Sequence, residues 1–263
     1  MDFSLLLVIA TAISGFIWGL DSLIFKRRRL TVNKDSISEK KAYSEPVLVE
    51  YSRSFFPVLF LVLILRSFLF EPFRIPSGSM MPTLLEGDFI FVNKFSYGLR
   101  LPVINTKVFD VGAPIRGDVV VFRLPSDPRV NYIKRVVGLP GDVVVYESDS
   151  KQLFINGDKI HAELIGNYED NPGVQLLSEK LGEQEHTLLH IRSRLSPGGT
   201  YVVPEGHYFV MGDNRDNSQD SRFEVVRFIP EYQMVGKAVR IWMNWRWPTD
   251  GGPRWSRIGQ SIE

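Results

Sequence analysis

The chain has 263 residues, and its 31 Lys and Arg residues nearly balance its 30 Asp and Glu residues, for a formal net charge of +1. This length fits one or two domains, and the charge balance gives no support for a nucleic-acid partner. Because the sequence contains no cysteine, disulfides, thiolate catalysis and cysteine-based zinc sites are excluded.

The first predicted element is the apolar run FSLLLVIATAISGFIWGL at residues 3–20, which carries no charge. As a helix it would span about 27 Å at roughly 1.5 Å per residue, close to the thickness of a bilayer core. A cleavable signal peptide is the alternative, but its small-x-small site, Ala10-Thr11-Ala12, lies inside the run, and no basic residue precedes the run. We therefore predict a first transmembrane segment within residues 1–25.

The second apolar run, FFPVLFLVLILRSFLF at residues 55–70, is shorter and contains Arg66. Taken alone, it fits a buried helix of a soluble protein nearly as well as a second transmembrane segment. In a membrane helix, Arg66 would lie near the outer end and reach the interface. Pro57 would fall in the first turn, where proline costs little.

The charges between the two runs favour the membrane interpretation. Residues 26–54 include the cluster KRRR at 26–29 and several further basic residues, whereas no Lys or Arg precedes the first run. By the positive-inside rule, residues 26–54 form a cytoplasmic loop. Residues 71–263 then form a domain on the far side of the membrane.

After residue 70 the sequence changes to short β-branched and aromatic stretches separated by Gly, Pro and Asp: GDFIFVNKF, RGDVVVFRLP, GDVVVYE, GTYVVPEGHYFVMGD and QMVGKAVRIWMNW. This texture predicts an antiparallel, mainly β domain. Asn156-Gly157 predicts a two-residue hairpin turn. Residues 163–196 are more polar and less periodic, and we predict an insertion there with one short helix.

Three polar stretches stand out among the predicted strands: PSGSMMPT, YIKRVVGLPGD and MGDNRDNSQDSR. Each has an ordinary explanation, as a turn, a solvated strand residue or an Asx-rich loop. Peptide hydrolysis, however, needs a nucleophile, a base and donors for the developing oxyanion, and the three stretches together contain such groups.

Histidine does not supply an evident base or metal site. His186 and His190 are spaced like zinc ligands on a helix, but Thr187 stands where a metalloprotease motif needs Glu. His161 and His207 stand alone. We predict neither a metal site nor an organic cofactor.

Two other sequence motifs do not predict a functional site either. Ser38 and Lys41 match a Ser-x-x-Lys pattern, but they fall in the predicted cytoplasmic loop. Arg215 occupies a position that a calcium loop would give to a ligand oxygen. A serine with a lysine base remains: Lys134 lies between Ile133 and Val136, and burial there would lower its pKa far enough for it to act as a base.

The three stretches, in this order, resemble bacterial type I signal peptidase, and the similarity covers essentially the whole chain: EPFRIPSGSMMPTLLEGD, RGDVVVF, YIKRVVGLPGD and GDNRDNSQDSR after two membrane segments. The resemblance implies a mainly β, antiparallel-sheet catalytic domain preceded by two transmembrane helices. It also implies a membrane-anchored serine endopeptidase that removes signal peptides from exported preproteins. Two membrane segments resemble the Gram-negative form, which implies the bacterial inner membrane with the catalytic domain on the periplasmic side.

By matching position, Ser79 would be the nucleophile and Lys134 the general base. The resemblance gives the oxyanion hole to the Ser77 hydroxyl and the Ser79 N–H. Ser218 would orient the lysine amine, and Gly212 would leave room beside it.

The remaining matched positions form two groups. One group supports the site, with Asp213 paired to Arg135: Asp213, Arg135, Asp220 and Arg222. The other lines shallow pockets for the small residues at −1 and −3 of a signal peptide: Phe73, Ile75, Pro76 and Ile133. Such pockets would select by excluding larger side chains, and the substrate would bind as an extended strand.

The implied partners are signal-peptide-bearing preproteins and the phospholipid membrane, with the secretion translocon as a further candidate and no nucleic acid. Interfacial seating of the domain and core packing are equal alternatives for Met80, Met81, Trp242, Trp245, Trp247 and Trp255.

One segment departs from the family. FEVVRFIPE, which follows DSR, looks two residues longer than the family pattern, and Arg227 stands where glycine is expected, so no family role extends to residues 223–229. Two functional alternatives also stay open, a self-cleaving Ser-Lys protease of the repressor type and a non-catalytic anchored β domain that binds exported chains or envelope partners.

Overall fold

The computed structural model describes residues 3–25, 46–100, 106–245 and 252–262. It divides into two compact units, Met1–Leu69 with Arg100–Val108, and Phe70–Leu99 with Phe109–Glu263. Most of the predicted cytoplasmic loop, with its KRRR cluster and the Ser38/Lys41 motif, lies outside the described residues, as does Trp247.

Two long apolar helices lie in the first unit. Helix α1 (Phe3–Leu20) continues as a π-helical turn, and α2 (Val47–Ile64) does the same. Two 21-residue spans, Leu5–Phe25 and Val47–Ser67, are long and apolar enough to cross a membrane. Gly15 allows the helices to approach closely, since a Cβ there would lie 2.6 Å from a ring carbon of Phe56.

The second helix does not have the bounds of the predicted second transmembrane segment, 55–70. The helix begins at Val47, eight residues earlier, and residue 70 already belongs to a strand. The early turns contain Glu50, Ser52 and Arg53, so a search for an unbroken apolar run misses them. Pro57 consequently lies inside the helix and not in its first turn.

The second unit is mainly β, as predicted. In chain order the strands are β1 (Phe70–Arg74), β2 (Asp88–Asn93), β3 (Leu99–Arg100), β4 (Lys107–Phe109), β5 (Val119–Leu124), β6 (Asp127–Gly138), β7 (Val143–Tyr146), β8 (Leu153–Ile155), β9 (Asp158–Lys159), β10 (Ala162–Tyr168), β11 (Asn171–Leu181), β12 (Gln184–Ile191), β13 (Gly199–Val202), β14 (His207–Met211), β15 (Ile229–Pro230) and β16 (Met234–Asn244). A seven-stranded sheet has the order β1-β2-β16-β5-β6-β14-β15, and its register pairs are antiparallel. This sheet contains β6, which carries most of YIKRVVGLPGD, and β14, whose last residue begins MGDNRDNSQDSR, while PSGSMMPT follows directly after β1.

A four-stranded sheet, β13-β7-β8-β9, contains the predicted hairpin. Asn156 and Gly157 join β8 to β9 with φ values of 55° and 89°. Two successive positive φ angles are what a tight hairpin of this length needs, and Asn-Gly meets that need with little strain. The hairpin prediction is therefore confirmed.

The short helix expected within 163–196 is absent from this fully described stretch, where β10, β11 and β12 form a three-stranded antiparallel sheet. The sequence hides these strands for two physical reasons. Much of the sheet is solvent-exposed, so polar residues interrupt its apolar pattern, and irregular register at Leu164/Gly166 breaks the period of two.

A core cluster under the large sheet contains Ile75, Met80 and Ile133. Met80 is fully buried, so core packing is the alternative that holds for this residue. Trp242 packs against Phe89 and Phe91, whereas Trp255 is 74% exposed.

Candidate active site

The serine-rich stretch forms a short, well-anchored turn after β1. Gly78–Met80 is a single 3₁₀ turn, and Ser79 is buried within it. Ile75 on one side and Met80 on the other insert into the same apolar cluster. The Ile75 N–H also donates to the Asp88 carbonyl at 2.8 Å. The turn is therefore fixed on both sides, and the chain places a small hydroxyl between two core residues.

Lys134 reaches this hydroxyl from the central strand β6. Its Nζ lies 2.7 Å from the Ser79 Oγ and donates to the Ile133 carbonyl at 2.8 Å. The residue is only 4% exposed, and the Tyr132 ring lies beside the amine, with its centroid 5.4 Å from Nζ. Burial lowers the pKa of Lys134 to about 8, although the negative charges of Asp220 and Asp213 oppose the shift. A substantial fraction of the amine is thus neutral near that pH.

The third polar stretch, MGDNRDNSQDSR, donates hydrogen bonds to the backbone carbonyls of the serine turn. The Asn214 N–H donates to the Ser79 carbonyl at 3.1 Å, and Asn214 Nδ2 donates to the Gly78 carbonyl at 3.0 Å. Gly212 lies against the same turn, where a Cβ would come within 2.5 Å of the Ser79 carbonyl oxygen and 2.2 Å of the Ser218 Oγ. Only glycine fits there without displacing its neighbours.

Neither Ser218 nor Ser77 forms a contact with Ser79 as close as the 2.7 Å contact from Lys134. The buried Ser218 Oγ makes no hydrogen bond to the Lys134 amine and lies beside Asp220, whose pKa it helps to lower. The orienting role of Ser218 stays a prediction. The amine donates to the Ile133 carbonyl. Ser77 is exposed, and its Oγ lies 3.5 Å from the Ser79 Oγ, on the solvent side of the turn.

Two buried ion pairs support the loop that carries Gly212. Arg135 donates to both oxygens of Asp213 at 2.8 Å, and Arg222 binds both oxygens of Asp220 at 2.8 and 2.9 Å. The Gly212 N–H donates to Asp220 at 3.0 Å. Burial would raise the pKa of each carboxyl, but the paired guanidinium holds each pKa below its ordinary value. Both carboxylates therefore stay charged at neutral pH.

The four residues matched to substrate pockets are not equivalent in the structure. Ile75 and Ile133 are buried, Phe73 is partly buried, and all three pack in one apolar cluster with Met80. Pro76 is exposed. Their role in substrate binding stays a prediction.

Comparison with known proteins assigns the family. The model of the family described as signal peptidase, peptidase S26, matches residues 48–245. A signal peptidase I of Pseudomonas fluorescens is 53% identical, with 98% of each chain covered, and one of Pseudomonas aeruginosa is 49% identical with the same coverage. The chain belongs to the signal peptidase I family. A crystal structure of a signal peptidase I from Enterococcus faecalis is 29% identical, with a TM-score of 0.31, and covers 49% of this chain and 98% of its own.

Membership of the signal peptidase I family identifies the chain as a serine endopeptidase. This family membership excludes the two alternatives that the sequence left open, the self-cleaving repressor-type protease and the non-catalytic binding domain.

Sequence reasoning missed several groups around this signal peptidase I site. Asn214 lies within the stretch MGDNRDNSQDSR but received no role of its own, although it holds the serine turn. Thr83, whose hydroxyl donates to Asp213 at 2.5 Å, follows the serines within the same stretch PSGSMMPT and could have been found there. Glu179 carries no local sequence signal, because it pairs with Arg215 across 36 positions of the chain.

The atypical segment 223–229 contains a strained residue. Arg227 has a φ of 44°, in the left-handed region that glycine adopts most readily. Its guanidinium pairs with Glu224 and lies 5.5 Å from the centroid of the Tyr201 ring. These contacts offset part of the strain at a position where the sequence comparison anticipated glycine.

Proposed function

We propose that this protein is a membrane-anchored signal peptidase that cleaves preproteins with Ser79 as nucleophile and Lys134 as general base. The observation that carries the proposal is the 2.7 Å separation of Ser79 Oγ and Lys134 Nζ, with an amine whose pKa burial lowers to about 8. A nucleophile within hydrogen-bond reach of a base that is partly neutral at the operating pH is what acyl transfer needs.

The chemistry proceeds in two halves. The neutral Lys134 amine takes the Ser79 hydroxyl proton as Oγ attacks the scissile carbonyl carbon. The resulting ammonium then gives that proton to the departing amine of the mature protein, and the signal peptide remains as an ester on Ser79. A water molecule, deprotonated by Lys134, then attacks the ester carbonyl carbon. The ammonium returns this proton to the Ser79 Oγ as the ester bond breaks, and the signal peptide leaves with a new carboxylate.

Two donors near Ser79 would stabilise the oxyanion. The Ser79 N–H belongs to the turn itself, and the exposed Ser77 hydroxyl can rotate towards a carbonyl bound above it. Losing one such donor typically costs about 10²–10³ in rate. The apolar surface formed by the partly buried Phe73 with the buried Ile75 and Ile133 would hold the small −1 and −3 side chains, with the substrate extended beside β1.

The proposed location is the bacterial inner membrane, with the second unit on the periplasmic side. Two helices long and apolar enough to span a bilayer support the anchoring, and the basic residues between them support the orientation. The names of the relatives, signal peptidase I, support preproteins as substrates.

The test uses detergent-solubilised full-length protein and a preprotein whose signal ends in Ala-x-Ala. Ser79→Ala should lose at least about 10³-fold in kcat, and Lys134→Ala at least about 10²-fold, because each removes a group that acts in the transition state. Ser193→Ala and Lys159→Ala change the same residue types at exposed positions and serve as matched controls. Mass spectrometry should locate the cut after the −1 alanine. Normal cleavage by Ser79→Ala would overturn the proposal.

A further inference from the structure

The three-stranded sheet β10–β12 is joined directly to the loop that holds the serine turn. The Leu189 N–H of β12 donates to the Asp213 carbonyl at 2.8 Å, and Leu189 also bridges to Asn214. Two positions on, the Ile191 N–H donates to Asp216 Oδ2 at 2.7 Å. Strand β12, at one edge of this sheet, therefore forms hydrogen bonds with the segment that contacts Ser79.

A buried ion pair reinforces this junction. Both carboxylate oxygens of Glu179, on β11, accept hydrogen bonds from the Arg215 guanidinium, with 3.0 Å between Nη1 and Oε1. Glu179 is 2% exposed and Arg215 1%. Burial would raise the pKa of Glu179, but Arg215 and then His186 hold it at about 2. A bidentate pair of this kind fixes direction as well as distance.

Arg215 is next to Asn214, the residue whose main-chain and side-chain N–H groups hold the Ser79 and Gly78 carbonyls. We propose that Glu179 is a positioning residue: by fixing Arg215 it fixes Asn214, and thereby keeps the Ser79 Oγ within hydrogen-bond reach of Lys134. This inference rests on the proposed Ser79/Lys134 chemistry. It gives the β10–β12 sheet a role in positioning the nucleophile. Glu179 has this role without touching the substrate.

The first test compares Glu179→Gln with Glu185→Gln. Both substitutions replace a carboxylate with an amide on the same sheet, but Glu185 is exposed and accepts only from Ser178 among the described residues. Glu179→Gln should lower kcat about tenfold or more with KM changed less than twofold, since substrate pockets on β1 and β6 are untouched. Glu185→Gln should retain the parent kcat.

The second test reads the nucleophile without substrate. Because the chain has no cysteine, Ser79→Cys introduces a single thiol, whose alkylation rate by iodoacetamide can be followed against pH. Beside Lys134 the thiol should react with an apparent pKa below the ordinary value of about 8.5. Adding Glu179→Gln should move that apparent pKa upwards, while adding Glu185→Gln should leave it in place. Simple loss of stability would lower the folded fraction without shifting the pH profile of the folded protein.

The outcomes separate the two proposals. If Ser79→Ala remains active, the proposed function itself fails. If Ser79→Ala is inactive while Glu179→Gln keeps both the parent kcat and the parent alkylation profile, only the positioning role fails. Should Glu179→Gln not fold, the double variant Glu179→Leu/Arg215→Met removes both buried charges at similar volume and should show the same loss of kcat and the same shift. A normal kcat in that folded double variant would overturn the inference.

Discussion

In the proposed mechanism the decisive residue is Lys134, because a lysine acts as a base only when part of it is neutral. Burial disfavours its charged form, and this effect exceeds the opposing influence of Asp220 and Asp213, so its pKa falls to about 8. Both carboxylates are already engaged by Arg222 and Arg135. Because these arginines compensate most of their negative charge, the two carboxylates raise the pKa of Lys134 only weakly.

The lowered pKa predicts the pH dependence of cleavage. Lys134 must be unprotonated in the free enzyme, so kcat/KM should be highest above about pH 8 and fall roughly tenfold per unit below it. The measurement is kcat/KM for a preprotein between pH 5.5 and 9.5, within the range where the protein stays folded. An acid limb centred near the ordinary lysine value of about 10.4 would contradict the argument from burial.

Gly212 gives a second prediction at the same scale. In Gly212→Ala the new methyl group would meet the Ser218 Oγ and the Ser79 carbonyl oxygen, so the serine turn must move. We expect kcat to fall at least about 10²-fold, since a displacement of 1 Å can cost that much. Gly166→Ala, on β10, is the matched control, because a Cβ there meets no described atom within 4 Å. Equal activity of the two variants would show that the close approach at Gly212 has no catalytic consequence.

At the scale of elements, the sequence predicted the tight turn correctly but did not predict the exposed strands. The β8–β9 hairpin follows from Asn156-Gly157, because the backbone itself needs positive φ there. Strands β10–β12 escaped detection because their inner contacts involve polar groups, such as Glu179 with Arg215, which a search for apolar alternation ignores. The start of α2 was missed for a related reason, since its first turns include polar residues.

The hairpin supplies a stability prediction without a functional cost. In Gly157→Ala, an alanine must adopt a φ of 89°, which should destabilise the protein by about 1–2 kcal/mol. Nothing within 4 Å surrounds a Cβ at that position in the described structure, so the effect is one of backbone strain alone. Urea denaturation should show the loss, with kcat of the folded variant unchanged. A denaturation midpoint equal to that of the parent would contradict the strain argument.

At the scale of the whole molecule, the two units have different surfaces for a physical reason. Residues on α1 and α2 expose large apolar side chains along most of their length, as expected for segments in contact with lipid. The second unit buries its apolar residues in three clusters beneath its sheets. The basic residues between the helices then predict which side of the membrane each part occupies.

The absence of cysteine makes this orientation directly testable. Glu183→Cys places one thiol in an exposed turn of the second unit, and Ser36→Cys places one in the predicted cytoplasmic loop. In cells with a permeabilised outer membrane, a membrane-impermeant maleimide should label the first variant, and the second only after lysis. Labelling of Ser36→Cys in intact spheroplasts, with Glu183→Cys protected, would reverse the proposed topology.

The sequence by itself determined the properties that depend on local chemistry: two apolar segments, a mainly β domain, a tight hairpin and a resemblance carried by three short motifs. Through the family resemblance, the sequence also pointed to Ser79 and Lys134 as the expected nucleophile and base. These inferences were possible because hydropathy, turn preference and side-chain type are properties of neighbouring residues.

Only the tertiary structure decided what depends on distant partners. The contact of Lys134 with Ser79 spans 55 positions of the chain, and the pairing of Arg215 with Glu179 spans 36. Burial, which sets the lysine pKa, is likewise a sum over residues from several strands. No local pattern encodes such sums, so the lysine pKa and the contacts of β10–β12 with the loop at Asn214 and Arg215 became visible only in the folded chain.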